Sequence, residues 1–417
     1  MMIEVSKNNK AFCLQKNHTF INGNVFRIAG TQSAEQSVGI MGTKYFLTQH
    51  HHLLEEVMIR NEKYFKDVEH AACLDLAYDE FNNKTILITG ASGLICSFFI
   101  DVLMYRNQNY GSNIKIIATG RSVEKAKKRF QAYDMKEIKD AKEGDLLLFL
   151  QQDVVLPMNL DCSVDYIIHG ASNTHPRAYA QDPVGTITAN IFGLYQLLEF
   201  ARKSQTKRVL VMSSVEIYGE NNGEIERFKE EDLGYIDSNT ARAGYPESKR
   251  VCESLAQSYI AQYDMDVVLG RFCRIYGPTM GKDDSKALAQ FIRNAVEEED
   301  IVLKSEGNQL YSYCYVLDAV TAMFTILLKG EKGKVYNVSD EASDVTLKHL
   351  ANILADTSGK KVVFELPDAV ETAGYSKATK ALIDSSRLKS LGWKAYYDMN
   401  QGLAQTVAIL KEQKGRE

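Results

Sequence analysis

A tyrosine and a lysine stand four residues apart in the segment Tyr245-Pro-Glu-Ser-Lys249. Residues four apart on a helix lie on one face, so the lysine ammonium can sit near the tyrosine phenol and favour its ionised form. The pair predicts a phenol pKa lowered from its reference of about 10 toward working pH. Such a tyrosinate can take a proton from an alcohol or sugar hydroxyl while the hydride of that carbon goes to a nicotinamide. With 22 tyrosines in the chain, this spacing also arises by chance.

A glycine-rich turn between two apolar stretches supports the chemical interpretation. Residues 85 to 97 read Thr-Ile-Leu-Ile-Thr-Gly-Ala-Ser-Gly-Leu-Ile-Cys-Ser. A buried strand, a tight turn and a helix begin a dinucleotide-binding βαβ unit, in which backbone N–H groups face a pyrophosphate at the helix N-terminus. The residues predicted to approach the cofactor here are Gly90, Ser92, Gly93, Leu94 and Ile95. Cys96 stands where a third glycine usually lets helix and strand pack closely.

Two further signals follow this turn in the order that a nucleotide-dependent oxidoreduction requires. Asp153 comes just after an apolar strand, where a carboxylate can accept a hydrogen bond from an adenine amino group. Ser214 and Glu216 lie at the carboxyl end of another strand, the edge at which α/β sheets bind ligands. We expect Ser214 to hold the oxygen from which Tyr245 takes its proton, and Lys249 to hold the nicotinamide ribose as well.

The alternation of strands and helices predicts an α/β fold of the Rossmann type, with a doubly wound parallel sheet. Strands are predicted at 84–89, 114–118, 146–150, 165–169, 208–213 and 266–271, with helices at 94–106, 187–203 and 244–263. The pattern loosens beyond about 275, with helices at 286–298, 346–358 and 399–413 and strands near 301–304 and 335–338. We predict three parts: an N-terminal extension over 1–80 with a helix at 50–68, an NAD(P)-binding domain over 81–275, and a smaller, partly discontinuous substrate-binding region over 276–417 that returns to the Rossmann core.

Composition excludes several function classes. The 417 residues are 45% apolar and carry a net charge of −5 without a basic block, so we expect no nucleic-acid partner. Apolar runs are strand-sized, and no basic-then-apolar leader opens the chain, so we expect a cytoplasmic protein without a membrane partner. The seven cysteines form no CxxC pair, and the run His50-His51-His52 has no second ligand cluster nearby. We therefore predict reduced thiols and no metal.

The chain resembles the extended short-chain dehydrogenase/reductase superfamily, in its sugar-nucleotide epimerase, dehydratase and decarboxylase branch. The resemblance rests on the turn at Gly90 and on matching segments that run to about residue 395: Asp153, His169-Gly-Ala-Ser172, Asn190 with Gly193, Ser213–Gly219, Tyr245–Lys249, Arg271–Pro278, Tyr315–Asp318 and Tyr336–Val338. It implies a tightly held NAD, transient oxidation at sugar C4 to a 4-keto intermediate, and a nucleoside diphosphate sugar as substrate. It also implies cofactor contacts at Val154, Gly170, Ala171 and Ser172, substrate contacts at Arg177 and Asn190, and a homodimer formed by the 187–203 and 244–263 helices.

Within that branch, the segments at 245–250 and 276–280 most resemble UDP-glucuronate decarboxylases, but three positions depart from the relatives. Val215-Glu216 replaces the acidic pair of dehydratases, so dehydration lacks its proton donor and Glu216 remains as a base acting at C5. Tyr311 stands where decarboxylases carry an arginine, and a neutral phenol cannot supply that charge. Arg274 stands where they carry asparagine, so it is a candidate for a displaced cation, with Arg177 and Lys286 as further candidates. For Lys286 a solvated surface charge is the favoured interpretation. A 4-epimerase and a decarboxylase both stay open, with a 4,6-dehydratase behind them.

The cofactor and the class of protein each keep an alternative. NAD-binding relatives usually end the second strand with an acidic residue, whereas here the strand ends Gly120-Arg121. Arg121 can pair with a 2′-phosphate, which means NADP, or stack on adenine, which leaves NAD, and we expect NAD. Cys96 and Tyr311 also suit a dinucleotide-binding sensor without catalysis. A simple oxidoreductase that releases reduced cofactor is a third possibility.

Overall fold

The computed structural model describes the backbone of residues 18–21 and 24–27, and residues 61–414 except 175, 222, 224, 283 and 366–377. Side chains are described from residue 61 onward, apart from those of 176–178. In chain order the strands are β1 (His18–Ile21), β2 (Asn24–Arg27), β3 (Thr85–Thr89), β4 (Lys115–Gly120), β5 (Lys136–Glu137), β6 (Leu147–Gln151), β7 (Tyr166–His169), β8 (Arg208–Ser214), β9 (Val267–Phe272), β10 (Arg274–Tyr276), β11 (Ile301–Leu303), β12 (Leu310–Tyr315), β13 (Val335–Val338), β14 (Asp340–Thr346), β15 (Val362–Phe364) and β16 (Lys380–Ala381). The helices are α1 (Glu62–Ala72), α2 (Leu94–Tyr110), α3 (Val123–Arg129), α4 (Pro176–Gln181), α5 (Pro183–Lys203), α6 (Gly244–Tyr263), α7 (Ala287–Glu297), α8 (Val316–Lys329), α9 (Leu347–Ser358), α10 (Ser386–Ser390) and α11 (Met399–Lys414).

Eight parallel strands form the main sheet in the order β13-β9-β8-β7-β3-β4-β6-β5. Within this sheet, β3 comes first along the chain and lies in the middle. Strands β4, β5 and β6 extend the sheet on one side of β3, and β7, β8, β9 and β13 extend it on the other. Strand β3 is buried along almost its whole length, because helices cover both faces of a parallel sheet. The strand order reverses between β3 and β7, which is the point where open α/β sheets bind ligands.

Helices cover the sheet in two layers. On one face, α2 packs against α8, and Phe99 of α2 stacks on Phe324 of α8 with ring centroids 4.2 Å apart. On the other face, α5 packs against α6 over a separate apolar core that includes Leu194, Leu198 and Cys252. The doubly wound α/β fold predicted from sequence is therefore confirmed, and the six predicted strands of the sheet lie within two residues of the observed ones.

The C-terminal part builds a smaller layer at the carboxyl edge of the main sheet. Strands β10, β12 and β14 pair side by side, with β16 also on β12, while β11 pairs with β15. Strand β13, predicted among the looser C-terminal elements, pairs in parallel with β9 and extends the main sheet. The sequence analysis predicts no helix at α8, whose N-cap residue, Tyr315, makes no side-chain capping hydrogen bond, so no capping residue marks where the helix begins.

Helix α1 bridges the two parts of the molecule. Its N-cap is Asn61, whose side chain accepts hydrogen bonds from the first-turn N–H groups. Tyr64 donates to Asp101 of α2, whereas Asp67 accepts from the hydroxyls of Tyr315 (2.6 Å) and Tyr397 (2.8 Å) in the C-terminal part. A helix was predicted at 50–68; the described helix begins at residue 62 and continues to 72, and residues 50–60, with the run of histidines, lie outside the described residues.

Candidate active site

A cavity of about 1610 Å³ lies at the carboxyl edge of the main sheet, between that sheet and the C-terminal layer. Its wall combines the glycine turn, the ends of β4, β6, β7 and β8, the start of α6, and β10 and β12. The predicted site residues that line it are Gly90, Ser92, Gly93, Leu94, Ile95, Arg121, Asp153, Val154, Gly170, Ala171, Ser172, Ser214, Glu216, Tyr245, Lys249, Arg274 and Tyr311. Residues from distant parts of the chain thus share one cavity.

The glycine turn forms a cradle that side chains would fill. Gly90 has φ +68°, and a Cβ there would lie 2.8 Å from the carbonyl carbon of Gly170 and 2.9 Å from Cα of Ala171. Gly93 is the N-cap of α2, whose first N–H groups have no intrahelical partner and face the cavity. A phosphate is favoured at such a terminus by both the donors and the helix dipole. The turn therefore fits the pyrophosphate of a dinucleotide.

Cys96 occupies the position of the missing third glycine without opening the structure. Its side chain is buried, and a Cβ on Gly170 would lie 2.4 Å from its sulfur. The sulfur therefore fills the space that the glycine at 170 leaves free. Burial raises the pKa of this thiol to about 12, so it stays protonated at neutral pH.

The other end of the cavity carries the residues predicted for the adenosine. Arg121 is exposed directly after β4, and its carbonyl accepts a hydrogen bond from Gln151. Asp153 is exposed, and one carboxylate oxygen accepts from the N–H of Val155 at 3.2 Å. The methyl groups of Val154 pack against Gly193, where a Cβ would lie 2.9 Å from Cγ2 of that valine. Arg121 and Asp153 thus both line the cavity beside Val154.

Asn190 is not among the residues that line the cavity. Its side chain is buried, donates to Ser248 at 2.8 Å and accepts from Ser172 at 2.7 Å, so it joins α5 to α6 and to Ser172. Its contact with substrate stays a prediction. Arg177 lies in α4, and its side chain falls outside what is described.

Ser214, Tyr245 and Lys249 converge in the middle of the cavity. The Ser214 hydroxyl is a hydrogen-bond partner of the Tyr245 phenol, and the Lys249 ammonium lies 5.9 Å from the centre of the Tyr245 ring. Lys249 also donates to the carbonyl of Met212 at 2.9 Å. All three side chains are buried, so a sugar hydroxyl bound against Tyr245 and Ser214 would be shielded from bulk water.

The lowered phenol pKa expected from the tyrosine–lysine spacing is wrong: the pKa is raised. Burial raises the pKa of Tyr245 to about 12, with the hydrogen bond from Ser214 opposing this and the charge of Glu216 adding to it. Burial likewise lowers the pKa of Lys249. Helical spacing brings the two groups together, but it carries no information on the water that both lose on folding.

Glu216 is held by two arginines that come from different elements. One carboxylate oxygen accepts from Arg242 at 2.7 Å, and the other lies 3.9 Å from Arg274. The Arg274 guanidinium carbon lies 3.4 Å from the centre of the Tyr311 ring, within cation–π distance. The arginine at 274 thus lies directly over the neutral tyrosine at 311.

Sequence reasoning missed two residues of this cluster, Arg242 and Tyr179. The ring of Tyr179 stacks on that of Tyr245 with centroids 4.8 Å apart. The Arg242 guanidinium carbon lies 4.9 Å from the centre of the same Tyr179 ring. Arg242 stands three residues before Tyr245, in the 3₁₀ helix Ala241–Ala243 directly before α6, so its nearness in sequence was available as a signal. Tyr179 lies in the short helix α4 after β7, where no period pointed to it.

Among the described residues, no group of histidine, cysteine, aspartate or glutamate side chains is placed to hold a metal ion. None of the helices that the structure describes is long and apolar enough to cross a membrane.

The parallel sheet, the glycine cradle at its switch point and the Ser214–Tyr245–Lys249 cluster define a dinucleotide-dependent α/β enzyme. The chain belongs to the NAD dependent epimerase/dehydratase family, whose model matches residues 86–339. The resemblance drawn from sequence is thereby confirmed, as are the class of enzyme and NAD as the cofactor of the family.

Individual relatives differ in activity. The chain is 26% identical to UDP-glucuronic acid decarboxylase 6 of Arabidopsis thaliana over 83% of this chain and 90% of that protein. Among solved structures, UDP-glucose 4-epimerase of Thermotoga maritima matches with a TM-score of 0.64 and 21% identity, over 80% of this chain and 100% of that one. UDP-glucuronic acid 4-epimerase of Bacillus cereus, in complex with UDP-glucuronic acid and NAD, matches with a TM-score of 0.64 and 20% identity, over 79% and 99%. At these identities the solved structures show a shared fold.

Proposed function

We propose that the protein is an NAD-dependent enzyme that oxidises a nucleoside diphosphate uronic acid at C4 and releases the C6 carboxylate as CO₂. The sugar-nucleotide relatives support the substrate class, and the decarboxylase relatives support the outcome. Under this proposal, residues 81–275 hold the cofactor and residues 276–417 complete the substrate side of the cleft.

The observation that carries the proposal is the position of Arg274. Its Nη1 is buried and has no hydrogen-bond partner among the described residues, although the side chain lines the cavity. An unpaired buried donor is costly, and a guanidinium is matched best by a carboxylate or phosphate. Arg274 lies beside Glu216, which is close enough to Tyr245 to raise its pKa. The C6 carboxylate, attached to C5, would meet this guanidinium while the hydroxyl of the neighbouring C4 meets Tyr245.

The residues then divide the reaction between them. Oxidation at C4 removes one proton, which Tyr245 takes, and one hydride, which NAD accepts when bound and later returns. Ser214 holds the same oxygen by hydrogen bond as it changes from hydroxyl to ketone. The C5–C6 bond of the resulting β-keto carboxylate breaks, CO₂ leaves, and the electron pair stays on the enolate. When the hydride returns to C4, Tyr245 gives its proton back to the C4 oxygen.

Two residues act around C5. Arg274 orients the carboxylate before it leaves, and its stacking on Tyr311 fixes the plane of the guanidinium. Glu216 remains salt-bridged to Arg242 and lies on the cavity wall, where its carboxylate can accept a hydrogen bond from a solvent water that gives its other proton to the enolate carbon. The same proton-handling group can serve C5 whether or not the carboxylate is lost.

The test is product analysis of the purified protein with UDP-glucuronate, UDP-glucose, dTDP-glucose and CDP-glucose. We expect the mass of CO₂ to be lost from UDP-glucuronate alone. An unchanged mass with an altered C4 proton coupling in NMR would establish 4-epimerisation instead, and loss of water would establish dehydration. If none of the four nucleotide sugars changes although the protein binds NAD, the result would favour a dinucleotide-binding sensor without catalysis. Net formation of reduced cofactor would favour a simple oxidoreductase.

The variant Arg274→Gln tests the carboxylate contact. We expect kcat/KM for UDP-glucuronate to fall about 100-fold, because a charge-assisted, largely desolvated interaction of about 2 to 3 kcal/mol is lost. Lys286→Gln is the matched control, because Lys286 lines the same cavity but is paired with Asp284 at 3.1 Å. Equal losses in both variants would contradict a specific role for Arg274.

A further inference from the structure

The strongest unassigned feature of the site is the way Arg242 is built into it. Its side chain is 14% exposed and sits in the short 3₁₀ helix Ala241–Ala243, immediately before α6. It bonds Glu216 at 2.7 Å on one side and covers the Tyr179 ring on the other. The same ring stacks on that of Tyr245. One guanidinium therefore contacts two neighbours of the tyrosine base, Tyr179 and Glu216.

These contacts restrict Tyr245 more than its own helix does. A tyrosine at the start of a helix keeps freedom about its side-chain bonds unless packing removes it. Here the Tyr179 ring lies nearly parallel to that of Tyr245, at 26°, and the two hydroxyls are hydrogen-bond partners. Since Arg242 packs on Tyr179, any movement of the arginine would release this stack.

The electrostatic effect has the same origin. The charge of Arg242 lowers the pKa of Tyr245 and opposes Glu216, which raises it. Lys249, the expected source of positive charge, is buried and donates to a backbone carbonyl. The cation that offsets Glu216 at the phenol is the arginine.

We propose that Arg242 is a positioning residue for Tyr245: it locks Tyr179 against the catalytic ring and neutralises Glu216, so that the phenol is held ready to accept the C4 proton. This rests on the proposed function in that Tyr245 is taken as the base. Arg242 itself need not touch the substrate, and its effect passes through Tyr179 and Glu216.

The first measurement is the pH dependence of kcat/KM with the nucleotide sugar that is turned over. In Arg242→Gln, we expect the acidic limb of the profile to move up by about one pH unit. The shift is of this size because an opposite charge nearby changes a pKa by about one to three units. The value of kcat/KM should therefore fall about tenfold at pH 7, and the difference from wild type should become smaller at higher pH. Arg242→Lys keeps the charge and should keep the limb near its original position, with a lower kcat because lysine lacks the planar stack.

Arg250→Gln is the matched control. Arg250 lies on the same helix and is half-buried, but it bonds the backbone carbonyls of Ile217 at 2.8 Å and Gly234 at 2.9 Å. Arg250→Gln removes hydrogen bonds near the site but leaves the contacts of Tyr179 and Glu216 intact. The acidic limb of the kcat/KM profile should therefore stay at its wild-type pH. A uniform loss at every pH in Arg242→Gln, like that of a structural variant, would overturn the electrostatic part of the proposal.

The second measurement is a crystal structure of NAD-loaded Arg242→Gln, which requires no turnover. We expect the Tyr179 ring to leave its stack on Tyr245 and the Glu216 carboxylate to turn. Unchanged positions of both side chains would overturn the positioning role. If no nucleotide sugar is converted by the wild-type protein, the proposed function fails, while this structure still decides whether Arg242 positions Tyr245.

Discussion

Replacing Gly90 by alanine tests whether the cofactor cradle depends on a missing side chain. Two costs apply. A φ of +68° places an L-residue in the left-handed region, at about 1 to 2 kcal/mol. The added Cβ would also lie within 2.9 Å of the Gly170 and Ala171 backbone, and relieving such overlap costs about 1 to 3 kcal/mol. The free energy of unfolding should therefore fall by about 2 to 5 kcal/mol.

Gly111 supplies a matched control because only the first cost applies there. It has φ +62°, ends α2, and a Cβ would meet nothing within 4 Å. The free energy of unfolding should fall by about 1 to 2 kcal/mol in Gly111→Ala. Replacing glycine by alanine also reduces the conformational entropy of the unfolded chain, but this stabilising effect is common to both variants and cancels in the comparison. The difference between them isolates the steric term.

Urea unfolding of both variants and calorimetric titration with NAD measure the effects. We expect Gly90→Ala to be the less stable and to bind NAD at least about tenfold more weakly, because β7 must move away from the turn that faces the pyrophosphate. Gly111→Ala should keep the affinity. Equal losses of stability, or full NAD affinity in Gly90→Ala, would refute the idea that close backbone approach builds the site.

Three other outcomes are expected. Asp67→Asn should lower the free energy of unfolding by about 1 to 3 kcal/mol in urea melts, because an amide cannot accept from all of its present donors. Burial raises the pKa of Asp318 to about 7, so the folded state favours the protonated carboxyl. As the pH rises from about 4 to about 7, the free energy of unfolding of the wild type should therefore fall relative to that of Asp318→Asn. If the exposed apolar face of α5 and α6 forms a homodimer, Phe192→Glu with Val251→Glu should give a monomer by light scattering, whereas Leu233→Glu should not.

The main sheet was largely predictable because its strands are short apolar runs bounded by turn residues, and β3 with its glycine turn fixes where the chain begins to wind. Strand β5 is only two residues long and half-buried, so it leaves no pattern in the sequence. Helix α8 was missed because its N-cap is Tyr315, which makes no side-chain capping hydrogen bond, whereas the equally buried α2 is announced by the glycine turn before it.

The candidate site divides in a similar way. Ser214 ends β8, and Asp153 comes just after β6. The topology alone predicts that both lie at the same edge of the sheet, because the carboxyl ends of parallel strands meet there. The partners of Glu216 depend on tertiary packing between β10 and the start of α6, which no spacing in the sequence reports. The direction of the Tyr245 pKa shift failed for the same reason: burial acts through the whole environment, and the sequence gives only the neighbour four residues away.

The bridging position of α1 also sets an order of assembly. Asn61 donates to the carbonyl of Ile409 and to Glu412 near the other end of the chain. During synthesis, the first described helix therefore emerges some 350 residues before the partners that complete its hydrogen bonds. Because such contacts close only after α11 is available, the sheet and its two helical layers can fold first. The docking of α1 then becomes a late step that waits for α11.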